Sequence, residues 1–287
     1  MKKRLFWVCF ALFLAAQPLG AAQTVDRAGN PFIPPAKVER IVSLAPSATQ
    51  VIVDLGLAER LVAIDTYTLP SADMPEDIVR LDLMTPDIER IAALSPDLVL
   101  FSGLMLVDGE DPLSQLTALG ISVVYIPTSD SIAGILADNL FIGELLGEAA
   151  AAAALNESLT EAIHGLTVQT DTPIRVYFEV DPLLYSFGQG VFLNEMIELL
   201  GGQNIFADQT GWLKISEEAV IAAQPEIIFT SNYFADEAVE EILGRTGWES
   251  IPAIQSRKVF QVDADSASQP NHRIVIALRQ MAEAMGL

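Results

Sequence analysis

One pattern of apolar and polar positions occurs twice in this chain. Glu89-Arg90-Ile91-Ala92-Ala93-Leu94-Ser95-Pro96-Asp97-Leu98-Val99 returns as Glu218-Ala219-Val220-Ile221-Ala222-Ala223-Gln224-Pro225-Glu226-Ile227-Ile228. Each copy predicts a short amphipathic helix opened by a glutamate, a proline stop and an apolar, β-branched strand. Duplication at one offset implies two similar α/β lobes, each offering one carboxylate at a matching place.

The flanking pattern extends both units. Arg40-Ile41-Val42-Ser43-Leu44 reads as a buried strand, and Ser47 with Gln50 has the spacing of a capping box, so a helix is expected from Ser47. Val51, Ile52 and Leu55 form its apolar face, Gly56 ends it, and Leu61 to Ile64 is the next strand. In the second unit Arg175 to Val180 is a strand, Asp181 to Gly190 a loop, and Phe192 to Leu200 a helix stopped by Gly201-Gly202. Near-continuous apolar strands separated by helices indicate parallel sheets covered on both faces. Between the units, helices are expected over Ser131–Leu145 and Glu148–Leu166, the latter with Leu155, Leu159, Ile163 and Leu166 on one stripe. The second is long enough to act as a stiff spine. The expected organisation is a leader at 1–22, an N-terminal lobe at 23–146, a spine at 147–170 and a C-terminal lobe at 171–287. Ligands of open α/β sheets sit beyond the carboxyl ends of the strands. The loops expected at a shared cleft are therefore 45–49, 65–70, 102–107, 181–190, 209–212, 231–234 and 265–273.

Composition narrows the setting. Lys2-Lys3-Arg4, an apolar run from Leu5 to Ala16 and the small residues Gly20-Ala21-Ala22 describe a cleavable secretory signal, too short to span a bilayer. Cys9, the single cysteine, lies in mid-run without the small residue that a lipid-anchoring site needs before it. The expectation is an untethered periplasmic protein whose mature form has no thiol. The net charge of −22 becomes more acidic still once those three cations are removed, a surface that repels nucleic acid.

The residues also carry a resemblance. Arg40 to Thr49, Leu55-Gly56-Leu57, Leu61 to Asp65, Ile88-Glu89-Arg90, Pro96 to Val99 and Leu119-Gly120-Ile121 resemble ABC-transporter solute-binding proteins for iron–siderophores, haem and vitamin B12. The likeness continues through Gly201 to Phe206, Trp212, Ser216-Glu217-Glu218, Gly247-Trp248, Ala253, Val259 to Asp263 and Pro270 to Arg273. It implies two Rossmann-like lobes with parallel-rich sheets, joined by one long spine helix, with a ligand cleft between them. It further implies that Glu89 and Glu218 dock against arginines of a dimeric permease. An acid at a helix start is also what the helix dipole favours on its own.

Within the family the chain looks closest to the vitamin B12 branch. Tyr67, Trp212 and Asp265 fall where that branch places cleft residues, and Tyr185 lies in the corresponding loop of the second lobe. Pro46, Ser47, Ser102, Tyr233 and Gln269 complete the expected ligand contacts. Leu83 and Ser102 stand where that branch has further tryptophans, and Gln269 where it has an arginine. Arg273 is the only cation in the expected cleft loops, and it reads as the opening of the last helix, so a near-neutral corrinoid suits the site better than an anionic siderophore. Haem is the alternative cargo, with Tyr67, Tyr185, Tyr233 or His272 reaching its metal. Local packing on Ile205 is the bland role for Trp212, and a capping position the bland role for His272. A free-metal site is disfavoured with only two histidines, His164 being on the spine.

No catalytic residue and no resident cofactor are expected. GxSxG, P-loop, HExxH and GxGxxG motifs are absent, and the nearest glycine loop is Tyr185-Ser186-Phe187-Gly188-Gln189-Gly190. The expected role is a monomeric, non-enzymatic carrier of a bulky metal chelate, without nucleic-acid partners. A receptor-linked ligand sensor would use the same features.

Overall fold

The computed structural model describes residues 24–69, 71–102, 113–232 and 237–287. The leader with Cys9, Tyr233 and the expected cleft residues 103–107 lie outside the described residues. An N-terminal arm pairs β1 (Thr24–Val25) antiparallel with β2 (Pro31–Phe32). The first lobe contains β3 (Ile41–Leu44), α1 (Pro46–Asp54), β4 (Leu61–Asp65), β5 (Val79–Leu81), α2 (Ile88–Ala93), β6 (Leu98–Ser102), α3 (Ser114–Ala118) and β7 (Ser122–Ile126). Then come α4 (Ile132–Leu146) and α5 (Ala149–Leu166). The second lobe contains β8 (Ile174–Glu179), β9 (Tyr185–Phe187), α6 (Phe192–Leu199), β10 (Gly202–Asn204), β11 (Trp212–Lys214), α7 (Glu217–Ala223) and β12 (Ile227–Thr230). It ends with α8 (Ala238–Leu243), α9 (Pro252–Gln255), β13 (Val259–Gln261), α10 (Ala264–Ser268) and α11 (Ile274–Met285).

Both main sheets are wholly parallel, in the orders β5-β4-β3-β6-β7 and β10-β8-β12-β13. Alternate side chains enter opposite layers. Leu98 and Leu100 pack with α1, whereas Val99 and Phe101 pack with Ile91 of α2 and Leu116 of α3. Val176 and Phe178 join α6 and α11, while Tyr177 joins Val220 of α7 and Trp248. Each sheet is thus covered on both faces, which is why its strands read as unbroken apolar runs. In the first lobe strand order reverses between β3 and β6, and in the second between β8 and β12, so each lobe has a switch-point crevice at its carboxyl edge.

The two copies of the duplicated segment share a set of hydrogen bonds. The Asp97 carboxylate accepts the Arg40 backbone N–H at 2.9 Å, and the Glu226 carboxylate accepts that of Arg175 at 3.1 Å. Arg40 Nε donates to the Ser95 carbonyl at 3.2 Å, and Arg175 Nε to the Gln224 carbonyl at 3.0 Å. Ser95 and Gln224 both adopt left-handed backbone, at φ 48° and 51°, to turn each helix into its proline.

α5 carries Ala152 into the first lobe's core and Leu159 into the second's, spanning about 27 Å at the usual helical rise. α4 runs back beside it, with Ile135 in the second core and Ile142 and Leu146 in the first. A buried amide pair joins them: Asn139 Nδ2 donates to Asn156 Oδ1 at 2.9 Å, and Asn156 Nδ2 to the Leu136 carbonyl at 2.8 Å. Both interlobe helices therefore serve both cores.

Two local expectations are corrected. Ser47 does not cap α1: Ala45 is the N-cap without a side-chain bond, and Pro46 takes the first helical position, for which its fixed φ suits it. Asp181 to Gly190 is not all loop, because Tyr185–Phe187 forms β9, paired antiparallel with β11. Gly188 permits that crossing, since a Cβ there would stand 2.2 Å from the Gln209 carbonyl oxygen. Gly56 ends α1 as expected, and it and Gly147 after α4 adopt left-handed backbone.

Candidate functional site

The carboxyl edges of the two lobes meet around a cavity of about 840 Å³. Its first-lobe wall is Pro46 and Ser47 at the start of α1, with Thr66, Tyr67 and Leu69 after β4. The second-lobe wall runs from Gln261 through Asp263, Asp265, Ser268 and Gln269 to Pro270, with Gln280 from α11. Five residues expected from sequence, Pro46, Ser47, Tyr67, Asp265 and Gln269, thus line one space. No lysine or arginine is among the described residues lining it.

Local chemistry fixes these side chains. Asp65 is buried at the end of β4, and its carboxylate accepts the Tyr67 and Thr68 amides at 2.8 Å each and the Thr68 hydroxyl at 2.6 Å. Burial pushes the Asp65 carboxyl up, against the pull of those donors. The resulting turn presents Tyr67, 56% exposed, to the cleft. Across the cavity Asp263 caps α10 by accepting the Ser266 amide at 2.8 Å, and Gln280 Oε1 accepts the Asp263 amide at 2.7 Å. Burial, together with the neighbouring Asp263 charge, pushes the Asp265 carboxyl up.

The other expected contacts stand apart from this cavity. Tyr185 and Trp212 occupy the two-stranded β9–β11 sheet, where Lys214 Nζ lies 5.9 Å from the Tyr185 ring centroid. Trp212, 51% exposed, meets Phe187 edge-to-face at 5.9 Å rather than packing as a core residue. Ser102 closes β6 at the switch point and is buried, and Leu83 belongs to the first lobe's core. Ser186 is no exposed nucleophile: its buried hydroxyl donates to the Phe178 carbonyl at 2.8 Å.

One ring nitrogen of His272 is engaged within the protein. Its Nε2 shares a 2.5 Å hydrogen bond with Asp54 Oδ2 at the end of α1, and Arg273 donates to both oxygens of that carboxylate at 2.7 and 2.6 Å. Arg273 is also the N-cap of α11, the helix-opening place expected for it. This clasp across the two lobes was invisible in the sequence, because 217 residues or more separate its partners. Burial alone would raise the Asp54 carboxyl, but the hydrogen bonds from Arg273 and His272 outweigh it and hold it well below the ordinary range. A depressed acid contributes stability above its unfolded pKa, about 3.9, and loses it as pH falls through the folded value. Asp54→Asn is therefore expected to melt at a lower temperature than the native chain at pH 7. The difference should shrink below about pH 4; a constant difference across an acid titration would contradict the assignment.

Glu89 and Glu218 occupy equivalent positions. Each is the second residue of its helix, exposed, and follows a cap that accepts the third amide: Asp87 from Arg90 at 3.0 Å and Ser216 from Ala219 at 3.3 Å. Backbone and Ser216 hydrogen bonding hold the Glu218 carboxyl below its ordinary value.

The family model described as periplasmic binding protein matches residues 41–266. The chain belongs to that family. This periplasmic binding protein is 30% identical over 276 residues to the uncharacterized ABC transporter substrate-binding lipoprotein YvrC of Bacillus subtilis, covering 91% of this chain and 85% of the relative. It is also 30% identical over 264 residues to the vitamin B12-binding protein of Vibrio cholerae, covering 86% and 89%. Among solved structures, a possible iron-binding periplasmic solute-binding protein of Staphylococcus epidermidis superposes with a TM-score of 0.73 at 27% identity, covering 87% of this chain and 99% of that one. The chain is thus the substrate-binding component of an ABC transporter, a class that works with permease and ATPase components. Among the described residues no helix is long and apolar enough to cross a membrane, and no cluster of His, Cys, Asp and Glu could hold a metal ion.

Proposed function

We propose that this protein captures a large, near-neutral metal chelate, a cobalamin or related corrinoid, and delivers it to a permease dimer on which Glu89 and Glu218 dock. The observation that carries the reading is the convergence of Pro46, Ser47, Tyr67, Asp265 and Gln269 on one interlobe cavity without a cation among its described lining residues. An anionic cargo there would meet Asp263 and Asp265 with no cation among the described lining residues. Exposed aromatic surface at Tyr67 suits a flat macrocycle. The reading is also supported by the vitamin B12-binding relative. It places the mature protein, freed of residues 1–22, in the periplasm as an untethered monomer with no enzymatic turnover. A ferric chelate is the second reading, supported by the likeness to the possible iron-binding protein.

The deciding experiment mixes the protein with cyanocobalamin, ferric siderophore and haemin in turn, desalts it, and records absorbance and metal content. A retained cobalt-corrin spectrum at one equivalent is the expected result; retention of iron alone replaces the first reading with the second.

A further inference from the structure

Tyr67 is the aromatic member of the first-lobe wall, yet it is exposed and stands on a bend rather than in a helix or strand. Side chains on such connections are ordinarily mobile, and a mobile contact loses affinity when binding has to order it. The backbone beneath Tyr67 is tied down instead. Its amides are taken from one side: the Thr66 N–H donates to the Leu81 carbonyl at 3.0 Å, and those of Tyr67 and Thr68 go to the Asp65 carboxylate.

The carbonyls are held by an arginine. Arg80 lies half-buried in the edge strand β5, and its Nη1 donates to the Asp65 carbonyl at 3.2 Å and to the Thr68 carbonyl. These are the first and last carbonyls of the bend 65–68 that carries Tyr67. A charged side chain on an edge strand usually points to solvent and guards against pairing with another sheet. Arg80 is turned back onto its neighbour's backbone, and among the described residues it forms no ion pair. Hydrogen bonds from a guanidinium are stronger than those between neutral groups. Arg80 is not among the residues lining the interlobe cavity, so its effect on a cargo there passes through what it holds.

We infer that Arg80 is a positioning residue: by gripping the carbonyls at both ends of the 65–68 bend, it holds Tyr67 in its cleft-facing place before a cargo arrives. The assignment rests on the reading of the interlobe cavity as the cargo site, and deepens it by naming what orders one wall in advance.

The test is a double-mutant cycle read by calorimetric titration with cyanocobalamin. Arg80→Met, which keeps the stem and removes the donors, is expected to weaken binding about fivefold, the scale of ordering one loose side chain on binding. Arg80→Lys retains a cationic donor and should recover part of that loss. On a Tyr67→Leu background, Arg80→Met should change affinity by less than about twofold, because no ring is left to place. A full loss on that background, or no loss on the native one, overturns the assignment. A second measurement needs no cargo. Amide hydrogen exchange of the free protein should accelerate at Tyr67 and Thr68 in Arg80→Met, while Ser266 and Ala267 across the cavity keep their native rates. Unchanged exchange at Tyr67 and Thr68 overturns the assignment whatever the cargo. Faster exchange there with no corrinoid bound upholds the clamp and sinks the corrinoid reading, and the cycle is then run with the iron chelate that the protein retains.

Discussion

Arginine at both position 89 and position 218 is expected to abolish transporter-dependent uptake while leaving cargo affinity within about twofold of native, as for distant, uncoupled sites. The two glutamates are the second residues of the equivalent helices α2 and α7, exposed, and outside the set lining the interlobe cavity. Charge reversal turns an attraction for a cationic socket into like-charge contact, which costs several kcal/mol per site. Two such sites amount to more than about a thousandfold in docking, enough to silence uptake at physiological carrier concentrations. Single reversals should slow uptake without abolishing it, because one lobe still engages. The check is uptake of labelled cyanocobalamin into proteoliposomes holding the transporter, beside a titration of the same variant with cargo alone. Uptake that survives the double reversal, or cargo affinity that falls with it, would remove the docking role.

The second large effect is on stability. Arg245 lies in the second lobe, where its guanidinium donates to both Glu179 oxygens at 2.5 and 2.7 Å, bonds Glu241, and sits 4.8 Å from the Trp248 ring centroid. Glu179 is fully buried at the end of β8 and also accepts the Tyr177 hydroxyl at 3.2 Å. Burial pushes the Glu179 carboxyl up, against the pull of Arg245. Arg245→Met keeps the stem but strands the carboxylate, so a loss of about 3–5 kcal/mol is expected in urea unfolding. The sign of the pH dependence follows. An acid whose folded pKa lies above its unfolded value favours the fold at low pH, and that contribution disappears as pH rises through the folded pKa. The deficit of Arg245→Met should therefore be smaller at pH 5 than at pH 8. The double variant Arg245→Met, Glu179→Gln should recover much of the loss; a deficit independent of pH would point to lost packing on Trp248 instead.

The sequence pattern made the lobes legible because parallel strands buried on both faces must be apolar throughout, as Ile41–Leu44 and Ile227–Thr230 are. The doubled helix–proline–strand segment was legible for the same reason, and its equivalence extends to hydrogen bonds that the pattern did not anticipate. Short elements escaped notice. β9 and β11 are three residues each, and their pairing depends on a backbone crossing at Gly188 that local propensity does not report. Ser47 and Gln50 had capping-box spacing, yet Pro46 one residue earlier claimed the helix start. Of the site, residues on segments directly after predicted strands were found, Gln269 among them, whereas Gln280 emerged only when α11 was brought against the cleft. The Asp54 clasp is of that kind too: nothing near His272 in sequence reveals that its Nε2 is already engaged.

The paired struts α4 and α5, cross-linked by Asn139 and Asn156, have a kinetic consequence. A jaw preset by two rods in parallel has little room to swing shut, so occupancy arises with small rearrangement and little ordering cost. Capture should then proceed at a rate governed by encounter, and residence time by what the walls grip once the guest has arrived.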